Sequence, residues 1–336
     1  ALFEGRIRAM FEFENKSGIF PDVHRSYKFV LFVVDKTTPT ESFPAAFYLH
    51  EIESLEGKVE QEKFVEIPVE LVKISAPESL SIPEVRNKRQ LDVFSWLYEH
   101  HPLLGDEQKG WNAVFVQELN RTTDSDLFKT EGKDWALIEG KNFHQFLMDF
   151  EKTYFTIRHE EGLRRTARHR EYNMQNVILH ETIRLAFRDV ASSTNVRSVI
   201  ACIIPPHTFT THKAPLVLPR LLGKPFCLTD YHELLAYLAG ILNSLVFDFL
   251  VRMRISTNVS FFCMRQTPVP ASINAKVAHQ IMRTSARLSS NDDRFKEFAS
   301  ALGVEGSPLT MKERIELTAR LNALVAKHYG LTREQL

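Results

Sequence analysis

The stretch LAGILNSLVFDFLVR, residues 238–252, is the feature that most constrains the fold. Its apolar residues recur at helical spacing and cover a wide face, which predicts one largely buried helix. A membrane-spanning helix needs about 20 mainly apolar residues, whereas Glu233 precedes this run and Asp248 interrupts it. We therefore expect a core helix rather than a membrane span. Within it, Asn243 and Ser244 need hydrogen-bond partners.

Composition places the chain among ordinary globular proteins. It has 336 residues, of which 44% are hydrophobic and 25% charged, enough for two or three domains. The cysteines Cys202, Cys227 and Cys263 lie far apart, so we predict neither a disulfide framework nor a zinc site, and we expect a reducing, cytoplasmic location. Residue 1 is not Met and lies within a strand-like run, so we expect the chain to be part of a longer protein.

The first third of the chain reads mainly as strands. The runs ALFEGRIRAMFEF, SYKFVLFVVD and FPAAFYL predict antiparallel strands joined by short loops. The proline-interrupted segment 64–85 favours short strands and extended turns. Residues 88–100, KRQLDVFSWLYEH, predict an amphipathic helix.

The rest of the chain mixes both element types. Strands are predicted at 111–119 and in VRSVIACIIPP, a helix in NVILHETIRLAFRDV, and long helices at 275–287 and 311–328, the last ending at Gly330. An Asp230 to Glu233 spacing suggests a capping box at the start of the buried helix. Without a regular βαβ rhythm, the pattern predicts an α+β fold of mixed sheets with a helical C-terminal layer.

Enzyme signatures are missing from the sequence. There is no GxGxxG, P-loop, GxSxG, HExxH or pair of Cys-x-x-Cys motifs. The Pro205-Pro206 pair is similar to the Asn/Asp-Pro-Pro-aromatic motif of amino-group methyltransferases, but Ile204 and His207 replace the residues that hold the amine. The histidines show no metal-ligand spacing. We therefore predict no catalytic and no metal-binding residue in this chain.

The run RHEEGLRRTARHR, residues 158–170, is the strongest compositional signal. It carries five arginines against two glutamates in a chain whose formal net charge is zero. The planar arginine fork reaches phosphate oxygens or the O6/N7 edge of guanine with two hydrogen bonds. A solvated helix face explains such a run equally well, so both interpretations stay open at this point.

Several stretches in order resemble the C-terminal part of large adenine-N6 DNA methyltransferases of the type IIG and type ISP kind, found in restriction-modification and phage-defence systems. LIEGKNFHQF is similar to the family's Tyr-Glu-Gly-Lys-Met segment, with Ile138 in place of Tyr and Asn142 in place of Met. The other stretches are FEFENKSGIFPDVHRSYKFVLFVV, SLSIPEVRNKRQLDV, ELNRTTDSDLF, IRLAFRDVASSTNVRSVIACIIPP, LAGILNSLVFDFLVRMRISTNVSFFCMRQTPVP and ERIELTARLNALVAKHYGLT.

The resemblance implies a division into three parts: residues 1–60 as the end of a methyltransferase-like domain, 61–270 as a DNA target recognition domain, and 271–336 as a helical segment. In the family, the S-adenosylmethionine loop and the Asn-Pro-Pro-Tyr motif precede this region. It implies no cofactor in this chain, S-adenosylmethionine in the parent protein, and enzymatic activity only in the parent.

The same resemblance implies sequence-specific recognition of double-stranded DNA, held while the target adenine is flipped into the missing catalytic domain. The implied partners are that DNA and the missing N-terminal methyltransferase domain, with any nuclease or translocase domain, and no membrane. We predict DNA contacts at Arg164, Arg165, Arg168 and Arg170, and secondarily at Lys141, Asn142 and His144.

Three further arginines, Arg184, Arg188 and Arg197, fall in the segment with the strongest family pattern. Base contacts should differ among domains that read different sequences, so we expect these three to serve packing and salt bridging. A rival function is a protein–protein interaction or scaffold module of a phage-defence complex. Salt response separates the two, because binding to phosphates weakens steeply as salt rises.

Overall fold

The computed structural model describes residues 7–36, 39–55, 64–130, 134–169, 179–191, 195–219, 227–255, 258–273 and 275–335. The fold is α+β, with several small mixed sheets and C-terminal helices, as predicted. Contacts divide the chain into two compact units, Ala1–His101 and Pro102–Glu334. The boundaries at 60 and 270 drawn from the resemblance are functional ones and stay predictions.

The first unit is built on one four-stranded sheet. Its elements are β1 (Ile7–Glu14), β2 (Lys28–Val34), β3 (Ser42–Leu49), β4 (Val65–Pro68), α1 (Val69–Ser75) and α2 (Lys88–His100). The strand order is β2-β1-β3-β4. β1 is antiparallel to β2 but parallel to β3, so the prediction of antiparallel pairing throughout was wrong. Phe13 of β1 packs against Ala46 and Leu49 of β3, and this contact anchors the parallel pair.

Two helices follow the sheet. α2 begins at its predicted position because the Asn87 side chain accepts a hydrogen bond from the Gln90 N–H, as an N-cap does. α1 was not expected in the proline-interrupted segment. Pro68 lies just before its first turn with φ −68°, where the fixed ring angle and the missing N–H cost nothing. The prolines therefore delimit this helix instead of excluding it.

Strand β2 exposes apolar side chains on both of its faces. Five consecutive residues, Val30 to Val34, are all exposed. β2 is the outer strand of the sheet and, among the described residues, pairs with β1. A continuous apolar run is usual in strands covered on both faces, and edge strands more often carry charges.

The described residues of the second unit form nine short strands. They are β5 (Val114–Val116), β6 (Trp135–Ile138), β7 (Phe143–His144), β8 (Leu147–Met148), β9 (Thr156–Ile157), β10 (Arg184–Phe187), β11 (Ala201–Ile204), β12 (Thr208–Thr210) and β13 (Leu216–Leu218) among the residues described. They form sheets of order β11-β10-β13-β5 and β12-β6-β9, and the hairpin β7-β8.

The same unit carries the remaining helices. They are α3 (His159–Thr166), α4 (Leu228–Leu242), α5 (Leu245–Arg252), α6 (Phe261–Arg265), α7 (Lys276–Ser289), α8 (Lys296–Ala301) and α9 (Met311–His328). α9 has the bounds predicted for it, and a capping box between Thr310 and Glu313 starts it. α4, α7 and α9 pack together. At Gly240 a Cβ atom would lie 2.8 Å from Ile281 Cγ2, so only glycine allows this approach of α4 to α7.

Within the segment NVILHETIRLAFRDV, Arg184–Phe187 form a strand and not the predicted helix. Residues 176–178 lie outside the described residues, and the later part forms β10, all four residues of which are buried. β10 pairs with β11 on one side and β13 on the other. A short apolar run buried on both faces cannot be told from a helix by periodicity, and here the two strand partners decide it.

The apolar stretch 238–252 belongs to two helices, α4 and α5, with a break at Asn243 and Ser244. Asn243 ends α4, and Ser244 starts α5 by accepting a hydrogen bond from the Phe247 N–H at 3.1 Å. The Asn243 side chain donates to the Ala201 carbonyl at 2.9 Å and accepts from the Ala201 N–H at 3.0 Å. The prediction of one continuous helix was wrong, because these side chains bind the backbone.

The helix α4 begins at Leu228 after Cys227, so Asp230 lies in its first turn and is not the N-cap predicted. In the part of the chain that is described, no single helix is long and apolar enough to cross a membrane. The pair Asp230–Leu242 and Leu245–Arg252 meets the length and composition criterion together, with a bend of 61° between its halves.

Candidate nucleic-acid interface

The loop Asn120–Asp124 is organised by a buried carboxylate. Asp124 Oδ2 accepts a hydrogen bond from the Asn120 N–H at 2.7 Å, and the Asn120 side chain accepts from the Thr122 N–H at 2.8 Å. Burial alone would raise the pKa of Asp124. The Asn120 N–H and the charges of Arg165 and Arg168 outweigh it and hold that pKa below its ordinary value. Asp124 is therefore a fixed negative charge under the loop.

Two of the predicted arginines, Arg165 of α3 and Arg168 just after it, lie against this loop. Arg165 Nε donates to Asp124 Oδ1 at 2.6 Å, and Arg168 Nη2 lies 3.6 Å from Asp124 Oδ2. Both side chains keep exposure, 38% for Arg165 and 45% for Arg168. Arg164 is exposed. Arg170 lies outside the described residues. Arg165 and Arg168 thus combine a structural anchor with donors that still face solvent.

A second cationic cluster surrounds a cleft of about 330 Å³. Arg121, Lys141, Arg188 and Lys213 line it together with Glu139, Gly140 and Val190. Glu139 Oε1 lies 3.1 Å from Arg121 Nη1, and its Oε2 lies 3.6 Å from Lys141 Nζ. Lys213 Nζ donates to Asp189 Oδ2 at 3.1 Å. We call Arg121, Lys141, Arg165, Arg168 and Lys213 the basic loop surface.

The turn at Gly140 brings two loops of this cleft together. A Cβ atom on Gly140 would lie 2.7 Å from the Lys213 carbonyl oxygen, so a side chain there would push the loops apart. Glu139 and Asn142 close the turn with a reciprocal capping box. The Glu-Gly-Lys sequence therefore sets the spacing between Lys141 and Lys213.

The secondary candidates differ in what they offer a ligand. Lys141 is exposed, with its ammonium 5.2 Å from the centre of the Tyr154 ring. Asn142 is buried, and its amide bonds the Glu139 N–H and the carbonyls of Glu151 and Lys152. This saturation disfavours the predicted DNA contact of Asn142 and makes it the residue that shapes the turn.

His144 lies in the β7-β8 hairpin and is half-buried. Burial, together with the nearby charges of Arg188 and Arg197, lowers the pKa of His144 below its ordinary value. The ring therefore stays neutral at physiological pH. The neutral ring can donate or accept a hydrogen bond but adds no charge to the surface.

Of the three arginines expected to be structural, Arg184 and Arg197 bond to the protein itself, and Arg188 does so only in part. Arg184 is fully buried and donates to Glu118 Oε1 at 2.6 Å, and to the carbonyl and hydroxyl of Thr208 at 2.7 and 2.8 Å. Arg197 donates to the carbonyl of Asn243 at the helix break. Arg188 does two things, since its Nε donates to the Phe143 carbonyl at 3.0 Å while its side chain also lines the cleft.

Sequence reasoning missed Arg121 and Lys213. Each is the single cation of a polar loop, in ELNRTTDSDLF and TFTTHKAP, so neither forms a compositional run. The loops meet through the Arg121 N–H, which donates to His212 Nδ1 at 3.2 Å across 91 positions of sequence. Only the fold brings these two cations to the same cleft as Lys141.

No family model matches this chain, and neither does any curated protein sequence. Among solved structures it is similar to the type IIL restriction-modification enzyme MmeI in complex with DNA, at 10% identity and a TM-score of 0.45, over 97% of this chain and 43% of that one. It is also similar to the HsdS subunit from Thermoanaerobacter tengcongensis, at 14% identity and a TM-score of 0.25, over 82% and 61% of the two chains.

A third similar chain belongs to a type I restriction-modification system assembly, at 12% identity and a TM-score of 0.25, over 97% of this chain and 94% of that one. The chain thus spans less than half the length of the MmeI chain. TM-scores at this level are too low to carry the functions of those proteins to this one.

Proposed function

We propose that this chain is a sequence-specific DNA recognition module of an adenine-N6 DNA methyltransferase or restriction-modification protein. The basic loop surface is the observation that carries the proposal. On a chain of zero formal net charge, its five cations gather around three carboxylates, those of Glu139, Asp124 and Asp189. Duplex DNA presents dense phosphate charge, and local basic surfaces supply its electrostatic footprint.

The cations of the basic loop surface are suited to different tasks. Arg121, Lys141 and Lys213 are long, half-exposed side chains, whereas their carboxylate partners, Glu139 and Asp189, are only 6% and 17% exposed. Because Glu139 pairs with both Arg121 and Lys141, either cation can turn to a phosphate without leaving this buried carboxylate unpaired. Arg165 is fixed by Asp124, and a fixed guanidinium suits register or base contacts better than diffuse attraction.

The rest of the proposed activity belongs to the longer protein. The segments quoted above resemble the region that follows the catalytic motifs in adenine-N6 methyltransferases, and this chain carries none of the catalytic signatures. We propose that S-adenosylmethionine binding, base flipping and methyl transfer take place in the missing domain. The present chain holds the duplex in register while this happens.

A second candidate, a protein–protein contact module, is favoured by strand β2. Its five consecutive exposed apolar residues, Val30 to Val34, offer a surface that another protein could cover. β2 belongs to the first unit and the basic loop surface to the second. One chain could therefore serve both functions.

DNA binding by this chain tests the proposal directly. We expect the triple variant Arg121→Ala, Lys141→Ala, Lys213→Ala to lose at least about tenfold in affinity for a short duplex at low salt. The matched control removes three exposed cations of α9, in Lys312→Ala, Arg320→Ala, Lys327→Ala, and should bind like the wild type. Equal affinities of the two triple variants would contradict the proposed interface.

Recognition itself is tested in the full-length protein. Residues 136–270 would be exchanged for those of a relative, and N6-methyladenine would be mapped on a random-sequence DNA library. A methylated motif that changes with the exchange supports the recognition function. A motif that stays the same assigns recognition elsewhere and favours the protein-contact module.

A further inference from the structure

Two exposed aromatic rings stand beside the cleft of the basic loop surface. Phe150 is 54% exposed and Tyr154 is 59% exposed. Each ring lies beside a cation that lines the cleft: the Arg188 guanidinium carbon is 5.7 Å from the Phe150 ring centre, and the Lys141 ammonium is 5.2 Å from the Tyr154 ring centre.

The backbone that carries these rings is held firmly. The Phe150 N–H donates to the Asn142 carbonyl at 2.9 Å, and the Asn142 side chain donates to the carbonyls of Glu151 and Lys152 at 3.2 and 3.1 Å. Just before them, Asp149 has φ +57° and accepts a hydrogen bond from Arg294 Nη2 at 2.5 Å. Left-handed backbone is unfavourable in a non-glycine residue and persists where surrounding contacts fix it.

We infer that Phe150 and Tyr154 form a stacking platform for an unpaired or unstacked nucleobase, next to the basic loop surface. The inference rests on the proposed function and specifies the form of DNA that the site takes. A ring on a fixed backbone can stack on a base face without paying much ordering entropy. Bases inside a regular duplex already stack on each other, so only a base displaced by a bulge, kink or flip offers a free face.

The cations around the platform support the same ligand. A nucleotide joins an aromatic base to a phosphate, and Lys141 and Arg188 lie where a phosphate attached to a stacked base could be neutralised. Val190, exposed and part of the cleft lining, adds an apolar wall. The mixture of aromatic, apolar and cationic groups fits a nucleotide better than a bare phosphate, which needs no apolar surface.

The test compares two DNA probes with one pair of variants. The probes are a short duplex and the same duplex carrying one unpaired 2-aminopurine, a base whose fluorescence falls on stacking. We expect the wild type to bind the bulged duplex more tightly and to quench its fluorescence. Phe150→Leu with Tyr154→Leu should lose about tenfold or more in affinity for the bulged duplex, together with the quenching, and keep its affinity for the paired duplex.

The control is Tyr27→Leu, which removes an aromatic ring of similar exposure from the first unit and should bind both probes like the wild type. Wild-type quenching that survives in the double variant would overturn the inference while the proposed function stands. An equal loss of affinity for both probes would also overturn it, because the rings would then only shape the cleft. A wild type that binds neither probe would sink the proposed function and the inference together.

Discussion

The Arg184 site and the basic loop surface use the same residue types in opposite ways. Arg184 is fully buried, and its guanidinium is bonded to Glu118 and Thr208. Arg165 also bonds a buried carboxylate, that of Asp124, yet more than a third of its own side chain faces solvent. Arg121 and Lys213 are more exposed than that, at 53% and 40%, and pair with Glu139 and Asp189.

A structural cation is therefore distinguished from a binding one by its partners and its exposure, and not by charge in the sequence. A buried guanidinium with its partners in place cannot turn to a ligand without leaving another buried charge unpaired. A half-exposed cation that shares its carboxylate with a second cation, as Arg121 and Lys141 share Glu139, gives up less when it turns away. Removing a buried cation such as Arg184 should therefore cost stability, and removing the exposed cations of the basic loop surface should cost DNA affinity.

The largest expected effect is at the inward site. Arg184→Met would leave Glu118 buried without its closest cation, which costs about 3–5 kcal/mol of unfolding free energy. Chemical denaturation followed by circular dichroism measures the change. A loss below about 1 kcal/mol would show that water or another side chain replaces the guanidinium. It would contradict the claim that Arg184 is a structural cation.

The helix break offers a neutral version of the same inward test. Asn243→Ala removes the side chain that pairs with both backbone groups of Ala201. We expect a loss of roughly 2–3 kcal/mol, since each orphaned buried group costs about 1–3 kcal/mol. Asn243→Leu is the matched variant, because it keeps most of the side-chain volume and loses both hydrogen bonds to Ala201. A loss close to that of the alanine variant would assign the effect to the hydrogen bonds, and a much smaller loss would assign it to packing.

A smaller effect is expected at Asp124, a buried carboxylate whose partners Arg165 and Arg168 are partly exposed. Its folded pKa lies below the ordinary value of 3.8, so its stabilisation is present above that pH and is lost as pH falls through the folded pKa. Asp124→Asn should cost about 1–2 kcal/mol at pH 7 and flatten the acid limb below about pH 4. Denaturation at a series of pH values checks both. An acid limb as steep as that of the wild type would place the responsible carboxyl elsewhere.

Periodicity predicted much of the fold. β1, β2, β3, α2, α7 and α9 all follow from it. It failed at β10, a buried strand that looked helical, and at Asn243, where side-chain hydrogen bonds to a distant strand end a helix that composition would continue. Both errors come from tertiary partners that a local pattern does not contain.

The candidate site was predictable only in part. The arginine run identified Arg165 and Arg168, and a family resemblance identified Lys141. Arg121 and Lys213 are single cations in separate loops, and the cleft that joins them exists only after β6 pairs with β12, residues some 70 positions apart in sequence. Asn142 stays a predicted contact that its inward hydrogen bonds disfavour, and no local pattern shows that its amide is buried.

The salt dependence of DNA binding tests whether the basic loop surface contacts phosphates. The logarithm of the association constant would be plotted against the logarithm of salt concentration for the wild type and for Arg121→Ala, Lys141→Ala, Lys213→Ala. If these three cations contact phosphates, the slope should become less steep by about 2 to 3, because each phosphate contact contributes about 0.9. If the variant is folded and its slope is unchanged, the claim that the basic loop surface holds DNA is contradicted. This holds whether or not its affinity is lower.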